Sequence, residues 1–291
     1  MGNTCYANSV MQLLYAVPEF RENILKSTSR NSFISGVREI FQGLGMSARI
    51  GNNRLGRLFN EKIIPETGGR VGEQRDAQEF MLLVLDKLTS GDAQIYKPFQ
   101  FKMHDIVHAK DNPRNKNEKI APENMLRLPI KPQPERKEIP GEFMQAFKDW
   151  SAREELTGDN QWEGQDGKKV DAIKHIQISN PPPYLLIQII RYYNEMVNKI
   201  EITKKNDRPM SIPLEFTLPE GIMVNPKPAK YKLVGGIWHS GTLENGHYIA
   251  YIKNPNGFWE FNDDVVSRMS NDRALAELKT GAYIVAYRRE N

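Results

Sequence analysis

The stretch Tyr231-Lys-Leu-Val-Gly-Gly-Ile-Trp-His-Ser-Gly-Thr-Leu-Glu-Asn-Gly-His-Tyr-Ile-Ala-Tyr-Ile-Lys253, with Trp259-Glu-Phe-Asn-Asp-Asp-Val-Val-Ser267 soon after, decides the character of the C-terminal half. Its apolar runs are short and rich in β-branched and aromatic residues. Glycine and asparagine separate them, a pattern of strands joined by tight turns. Tyr231–Ile237, Tyr248–Ile252, Phe258–Phe261 and Ala282–Tyr287 are expected to form an antiparallel sheet, with Tyr184–Tyr192 as a buried strand. If Tyr248–Ile252 pairs with Phe258–Phe261, His247 comes near the side-chain carbonyls of Asn262 and Asp263. That is a base beside an orienting acceptor, the arrangement nucleophilic catalysis needs. Read alone, His247 is a turn histidine and Asp263 a turn carboxylate.

Toward the N-terminus the period changes from two to about 3.6. Tyr6, Val10, Leu13 and Leu14 recur at helical spacing until Pro18 stops the run. Asn3 or Thr4 could cap this helix, which puts Cys5 in its first turn, where unpaired amides and the helix dipole favour a thiolate. Asp76 and Glu79 form an Asp-x-x-Glu start for a second helix, with Ala77, Phe80, Met81, Val84, Leu85 and Leu88 on one face and Gly91 as its stop. Arg30–Ile64 reads as further short helices. From Pro98 the chain turns extended. Phe99–Val107 partly alternates, Lys110–Lys119 reads as a polar loop, and Met125–Ile130 as a strand. Lys131–Pro140 reads as a proline-rich linker, Phe143–Trp150 as a short helix, and Trp162–Lys169 as a turn. The expected class is α+β.

The chain has 291 residues, 39% hydrophobic and 26% charged, with a formal net charge of +4. This is the composition of a folded globular protein. Basic residues are interspersed with acidic ones, so no nucleic-acid surface is expected. No apolar run approaches a membrane span, and Met1–Tyr6 is too polar for a signal peptide. Cys5 is the only cysteine, which excludes an internal disulfide and a cysteine-rich metal site. A free thiol suits a reducing compartment, cytosol or nucleus. A lone cysteine is more often a small buried hydrophobe than a nucleophile; the second role needs a base elsewhere in the chain.

Gly2-Asn-Thr-Cys-Tyr-Ala-Asn-Ser-Val-Met-Gln-Leu-Leu14 resembles the cysteine box of the ubiquitin-specific protease family. Tyr231–Val266, with Asn-Gly-His-Tyr and Phe-Asn-Asp-Asp-Val-Val, resembles its histidine box. Between them, Arg75-Asp-Ala-Gln-Glu-Phe resembles the helix after the cysteine box, and Pro183–Tyr192 resembles a strand that ends in the family in Arg-Phe. The resemblance implies a papain-like fold shaped as a hand, spanning residues 1–291 as one catalytic domain. A helical thumb would cover residues to about 95, and β fingers and palm about 96–291. It implies hydrolysis after the C-terminal glycine of ubiquitin, with ubiquitin and ubiquitinated proteins as partners. Cys5 would be the nucleophile, His247 the base, Asn262 the third member and Asp263 an assisting acid. Asp76 would meet arginine in the ubiquitin tail, and Trp238–Gly246, including His239, would be a mobile loop beside the tail channel.

The sequence departs from the family in two places. Many members hold zinc in the fingers with two Cys-x-x-Cys pairs; Gly164 and Gly167 stand where cysteines would, so no metal or cofactor is expected. His104 and His108 are expected to be incidental surface residues, and the fingers to rely on ordinary packing. The family also places an asparagine five residues before the nucleophile, as an oxyanion donor. Only Met1–Thr4 precede Cys5: the expectation is a segment whose upstream residues carry this donor, the alternative a slow enzyme that begins at Met1, with backbone amides at the helix start as the remaining donors in either case. Two other outcomes stay open: a ubiquitin-binding scaffold with little catalysis, and a protease for another ubiquitin-like modifier.

Overall fold

The computed structural model describes residues 3–45, 56–130, 141–197, 200–242 and 246–290. Helices fill the first third. α1 spans Cys5–Tyr15, and Pro18, which has no N–H to donate inside a helix, opens α2 (Pro18–Lys26) at its first turn. α3 (Ser32–Gly45) starts at Asn31, whose Oδ1 accepts from the amides of Phe33 and Ile34. α4 (Ala77–Gly91) starts at Asp76, whose side chain accepts from the amides of Gln78 and Glu79.

The rest is mainly sheet. β1 (Phe101–Ala109), β2 (Lys116–Glu123) and β3 (Met125–Pro129) precede α5 (Phe143–Trp150). β4 (Ala172–Ser179), β5 (Tyr184–Ile190), β6 (Tyr192–Val197) and β7 (Ile200–Lys205) follow. β8 (Lys230–Gly241), β9 (Gly246–Asn254), β10 (Gly257–Asn262) and β11 (Val265–Met269) are successive neighbours. α6 (Asn271–Gly281) leads into the final strand, β12 (Ala282–Arg289). The large sheet runs β11-β10-β9-β8-β12-β5-β3, with Glu215–Thr217 paired to β8. Its neighbours are antiparallel except β3 and β5. A second sheet runs β2-β1-β4 and ends on Glu154–Leu156, and β6 with β7 forms a separate hairpin.

The large sheet is covered on both faces. Because side chains alternate along a strand, Leu186 of β5 enters one core while Leu185, Ile187 and Ile189 enter the other. The first core holds Tyr6, Val10 and Leu14 of α1 with Phe80 and Val84 of α4. The second holds Phe143 and Phe147 of α5 and Leu278 of α6. Helix and sheet thus share one apolar layer, which fixes α1 over β9. The fold is α+β, with the helical lobe first and the sheets after it.

Several local expectations change. β2 is a strand from Lys116, inside a stretch expected to be loop, because it pairs with β1 along a largely exposed surface and needs no apolar alternation. Trp162–Glu163 and Lys169–Val170 pair as a small hairpin around Gly167, which adopts φ 75°. β4, β7, β11 and α6 are further elements beyond those expected. The stretch read as a proline-rich linker, 131–140, lies outside the described residues.

Candidate active site

Cys5 is the first residue of α1 and is 5% exposed. The N–H groups of Tyr6 and Cys5 face its sulfur because the first amides of a helix have no intrahelical acceptor. A third N–H, that of Tyr248, reaches it from β9. These donors favour a thiolate, but burial outweighs them and the nearby Asp263 carboxylate adds to burial, so the thiol lies above its ordinary range. Thr4 stands at the N-cap position without a side-chain cap bond; its Oγ1 accepts instead from Asn8 Nδ2 at 3.4 Å.

His247 precedes Tyr248 on β9, the strand whose Tyr248 amide reaches the sulfur. Its Nε2 lies 2.7 Å from Asn262 Oδ1 at the end of β10. A carbonyl oxygen only accepts, so Nε2 carries the proton and Nδ1 keeps its lone pair. The hairpin predicted from the sequence is the element that makes this contact. Asn262 is neutral: it orients the ring without adding charge.

Asp263 does not continue the strand. The chain leaves β10 at Asn262 and Asp263 takes φ 53°, a left-handed turn conformation that aspartate tolerates. Its Oδ1 accepts from Asn8 Nδ2 of α1 at 2.8 Å, so the carboxylate turns toward the helix and the thiol. Asn8 joins the site through this bond. The available signal was its position three residues after Cys5 on the same helix face.

Asp76 is the cap of α4 and more. Oδ1 accepts from the amides of Gln78 at 2.8 Å and Glu79 at 2.9 Å. Oδ2 accepts from Tyr283 Oη at 2.5 Å and Tyr248 Oη at 3.4 Å. The carboxylate thereby pins α4 to β9 and β12. Beside it lies a cavity of about 300 Å³, lined by Gln78, Glu79, Gln188, Arg191, Tyr192 and Tyr283 among others. Arg191 is 1% exposed, and burial pulls it down to about 10. Its Nε donates to Ala282 O at 2.8 Å and its Nη1 to Arg208 O at 3.0 Å, which fixes the cavity wall.

The loop expected over Trp238–Gly246 is strand at both ends. Trp238–Gly241 belongs to β8, paired in register with Gly246–Ile249 of β9, and 243–245 lies outside the described residues. Trp238 turns away from the cavity and donates from Nε1 to Thr280 Oγ1 at 3.1 Å. His239 is 2% exposed and stacks on Tyr248, with ring centroids 4.3 Å apart. Burial, reinforced by Lys205, Arg191 and His247, depresses it to about 4, so it is a neutral packing group. Gly246 crosses directly over this ring, and a side chain there would collide with His239 and the carbonyl of Ser240. Gln74 Nε2 donates to Gly246 O at 2.5 Å, tying the segment before α4 to β9.

In the second sheet, His104 is buried rather than superficial. Its Nδ1 lies 2.6 Å from Glu118 Oε1 and its Nε2 2.7 Å from Ser179 Oγ, linking β2, β1 and β4. Both ring nitrogens are therefore engaged. His108 lies four residues along an extended strand, too far to share an ion with His104. Among the described residues no group of three histidine, cysteine or acidic side chains could hold a metal. The tip is held by polar contacts: Asn115 Oδ1 accepts from the Gln165 amide at 3.1 Å, and Gln165 Nε2 donates to Lys116 O at 2.9 Å.

Comparison with known proteins gives the chain its relatives. The chain is 29% identical over 294 residues to ubiquitin carboxyl-terminal hydrolase 7 of Drosophila melanogaster, covering 95% of the chain and 24% of that protein. It is 25% identical to the namesake in Caenorhabditis briggsae, covering 100% of the chain and 27% of the relative. It thus spans about a quarter of the length of these curated relatives. Among solved structures, it is similar to the SAGA Ubp8/Sgf11/Sus1/Sgf73 DUB module bound to ubiquitin aldehyde, with TM-score 0.82 and 21% identity. That likeness covers 100% of this chain and 68% of the other, and shows a common fold, the hand-shaped papain-like one. Residues 1–287 match the family described as ubiquitin carboxyl-terminal hydrolase, and the chain belongs to that family.

Proposed function

We propose that this chain is the catalytic domain of a thiol-dependent deubiquitinating enzyme, with residues to about 95 as thumb and about 96–291 as fingers and palm. It cleaves the bond after the C-terminal glycine of ubiquitin, and ubiquitinated proteins are its substrates. The observation that carries the reading is the Cys5 sulfur facing the Tyr248 amide of β9, the strand on which the preceding residue, His247, has its Nε2 committed to Asn262. A free thiol of this kind suits the cytosol or nucleus.

The resting thiol is protonated, because burial and Asp263 both hold the proton on sulfur. His247 Nδ1 takes that proton as sulfur attacks the glycine carbonyl carbon. Negative charge passes to the carbonyl oxygen, and main-chain N–H groups at the start of α1 stabilise it. The imidazolium then gives its proton to the departing amine, the C–N bond breaks, and the acyl group stays on sulfur as a thioester. Water, deprotonated by the same nitrogen, attacks the thioester and releases ubiquitin and the thiol. Asn262 holds the ring in one tautomer throughout.

The test is a ubiquitin derivative with a C-terminal electrophile. A covalent adduct with the native chain and none with Cys5→Ala supports the reading. Binding without an adduct supports the scaffold reading instead, and an adduct only with a probe built on another ubiquitin-like modifier reassigns the substrate.

A further inference from the structure

β11 is the outer strand of the large sheet, and among the described residues it pairs only with β10. A free edge offers unpaired N–H and C=O groups, and proteins usually blunt such edges with charge, proline or a bulge. Here the edge opens on two valines. Val265 is 60% exposed and Val266 is 52% exposed. They point to opposite faces, so this end of the strand is bare on both sides. Farther along, Arg268 stacks on Trp259 at 4.7 Å, Ser267 donates to Glu260 at 3.1 Å, and Met269 is buried. The bare part is therefore the end nearest Asn262, with which Val265 pairs.

The sheet order gives this edge a place in the reaction. The thiol sits over β9, against the Tyr248 amide. The cavity beside Asp76 lies on the β12 and β5 side of β9, lined by Tyr283 and Gln188. β10 and β11 lie on the opposite side. Asp263, in the turn between them, reaches α1 through Asn8, which draws this turn toward the helix that carries Cys5. A chain that comes from the cavity to the sulfur leaves the sulfur in the direction of β11.

We propose that the free edge of β11 receives the protein that bears the modified lysine, as an extended segment added beside Val265–Met269. This rests on the reading of Cys5 as the nucleophile that cleaves after ubiquitin. Backbone groups of the segment bond to the edge and its apolar side chains cover Val265 and Val266, as in other strand additions. The exposed acids Asp263 and Asp264 at the turn favour a segment with further basic residues near the lysine. The occupant is thus an extended, valine-like and basic stretch of the acceptor protein.

The experiment compares two substrates on the native chain and on a Val265→Lys/Val266→Lys variant. One is ubiquitin amide-linked to a small fluorophore, which has no acceptor segment. The other is ubiquitin joined through an isopeptide bond to a short peptide of alternating valine and lysine. The expected result is a fall in kcat/KM of about five- to tenfold for the peptide conjugate only, the loss of two cross-strand contacts. In parallel, amide exchange of Cys5→Ala with the peptide conjugate bound should slow at Val265–Met269. Equal loss on both substrates, no loss on either, or unchanged exchange at β11 overturns the proposal. Failure of the native chain to cleave either substrate counts against the proposed function, while the exchange measurement still reads the edge.

Discussion

Asp76 offers a test that separates folding from recognition. Its carboxylate accepts four contacts, two from helix amides and two from the hydroxyls of Tyr283 and Tyr248, both nearly buried. An ionised carboxylate has about four acceptor sites, so an arriving arginine must displace the longest contact, that of Tyr248 at 3.4 Å, or share an oxygen. Asp76→Ala removes the cap, worth about 1 kcal/mol, and strands two tyrosine hydroxyls at about 1–3 kcal/mol each, less for the long one. The expected loss is roughly 2–5 kcal/mol, or about 5–15 °C in melting temperature. Asp76→Asn keeps Oδ1 for the cap, and its Nδ2 can donate to Tyr283 Oη, so its stability should fall by about 1 kcal/mol at most. It nevertheless removes the charge. If Asp76 meets an arginine of the ubiquitin tail, kcat/KM for a ubiquitin substrate should fall about tenfold or more, the worth of a charged hydrogen bond. Thermal melts paired with steady-state kinetics on both variants read the two effects apart. A stable Asp76→Asn variant with native kcat/KM refutes tail recognition and leaves Asp76 a cap and strut.

Cys5→Ala should abolish cleavage while ubiquitin binding persists, and His247→Ala should lose several orders of magnitude, because the pair acts as a unit; single-turnover assays with a binding control decide this. Asn262→Ala removes the 2.7 Å bond that fixes the His247 tautomer and should lower turnover more than Asp263→Ala does; the opposite order would mean that Asp263 is the orienter. Asp263→Asn keeps an oxygen for Asn8 but removes a charge that holds the Cys5 proton, so the pH midpoint for alkylation of Cys5 by iodoacetamide should move down. His239 is depressed from 6.5 to about 4 by burial, so its stabilising contribution is full above pH 6.5 and is lost as pH falls toward 4. That loss is about 3 kcal/mol, and His239→Gln should flatten the corresponding part of a denaturation-versus-pH curve. A chelator should leave melting temperature and activity unchanged, since both nitrogens of His104 already bind Glu118 and Ser179; stoichiometric zinc in the purified protein would contradict this.

Features that depend on neighbours along the chain are legible in the residues alone. The apolar period places α1 and α4, the Asp76 cap follows from its own amides two and three residues on, and the short runs around His247 and Phe258 give the β9–β10 hairpin. That hairpin already carries His247 to Asn262, so half of the site is local. Features that depend on what lies across the molecule emerge only in the folded chain. Asp263 faces α1 because Asn8, remote in sequence, offers it a donor and the turn lets it leave the strand. His239 and Trp238 sit in a stretch that the family resemblance implies is a mobile loop. Pairing of β8 with β9 sends one ring under Gly246 and the other toward Thr280. β2 has no apolar alternation to announce it, since it is held by hydrogen bonds to β1 and faces water along much of its length. Periodicity records which side of an element is buried. The partner that buries it, and the charge that partner brings, are set only when distant segments meet.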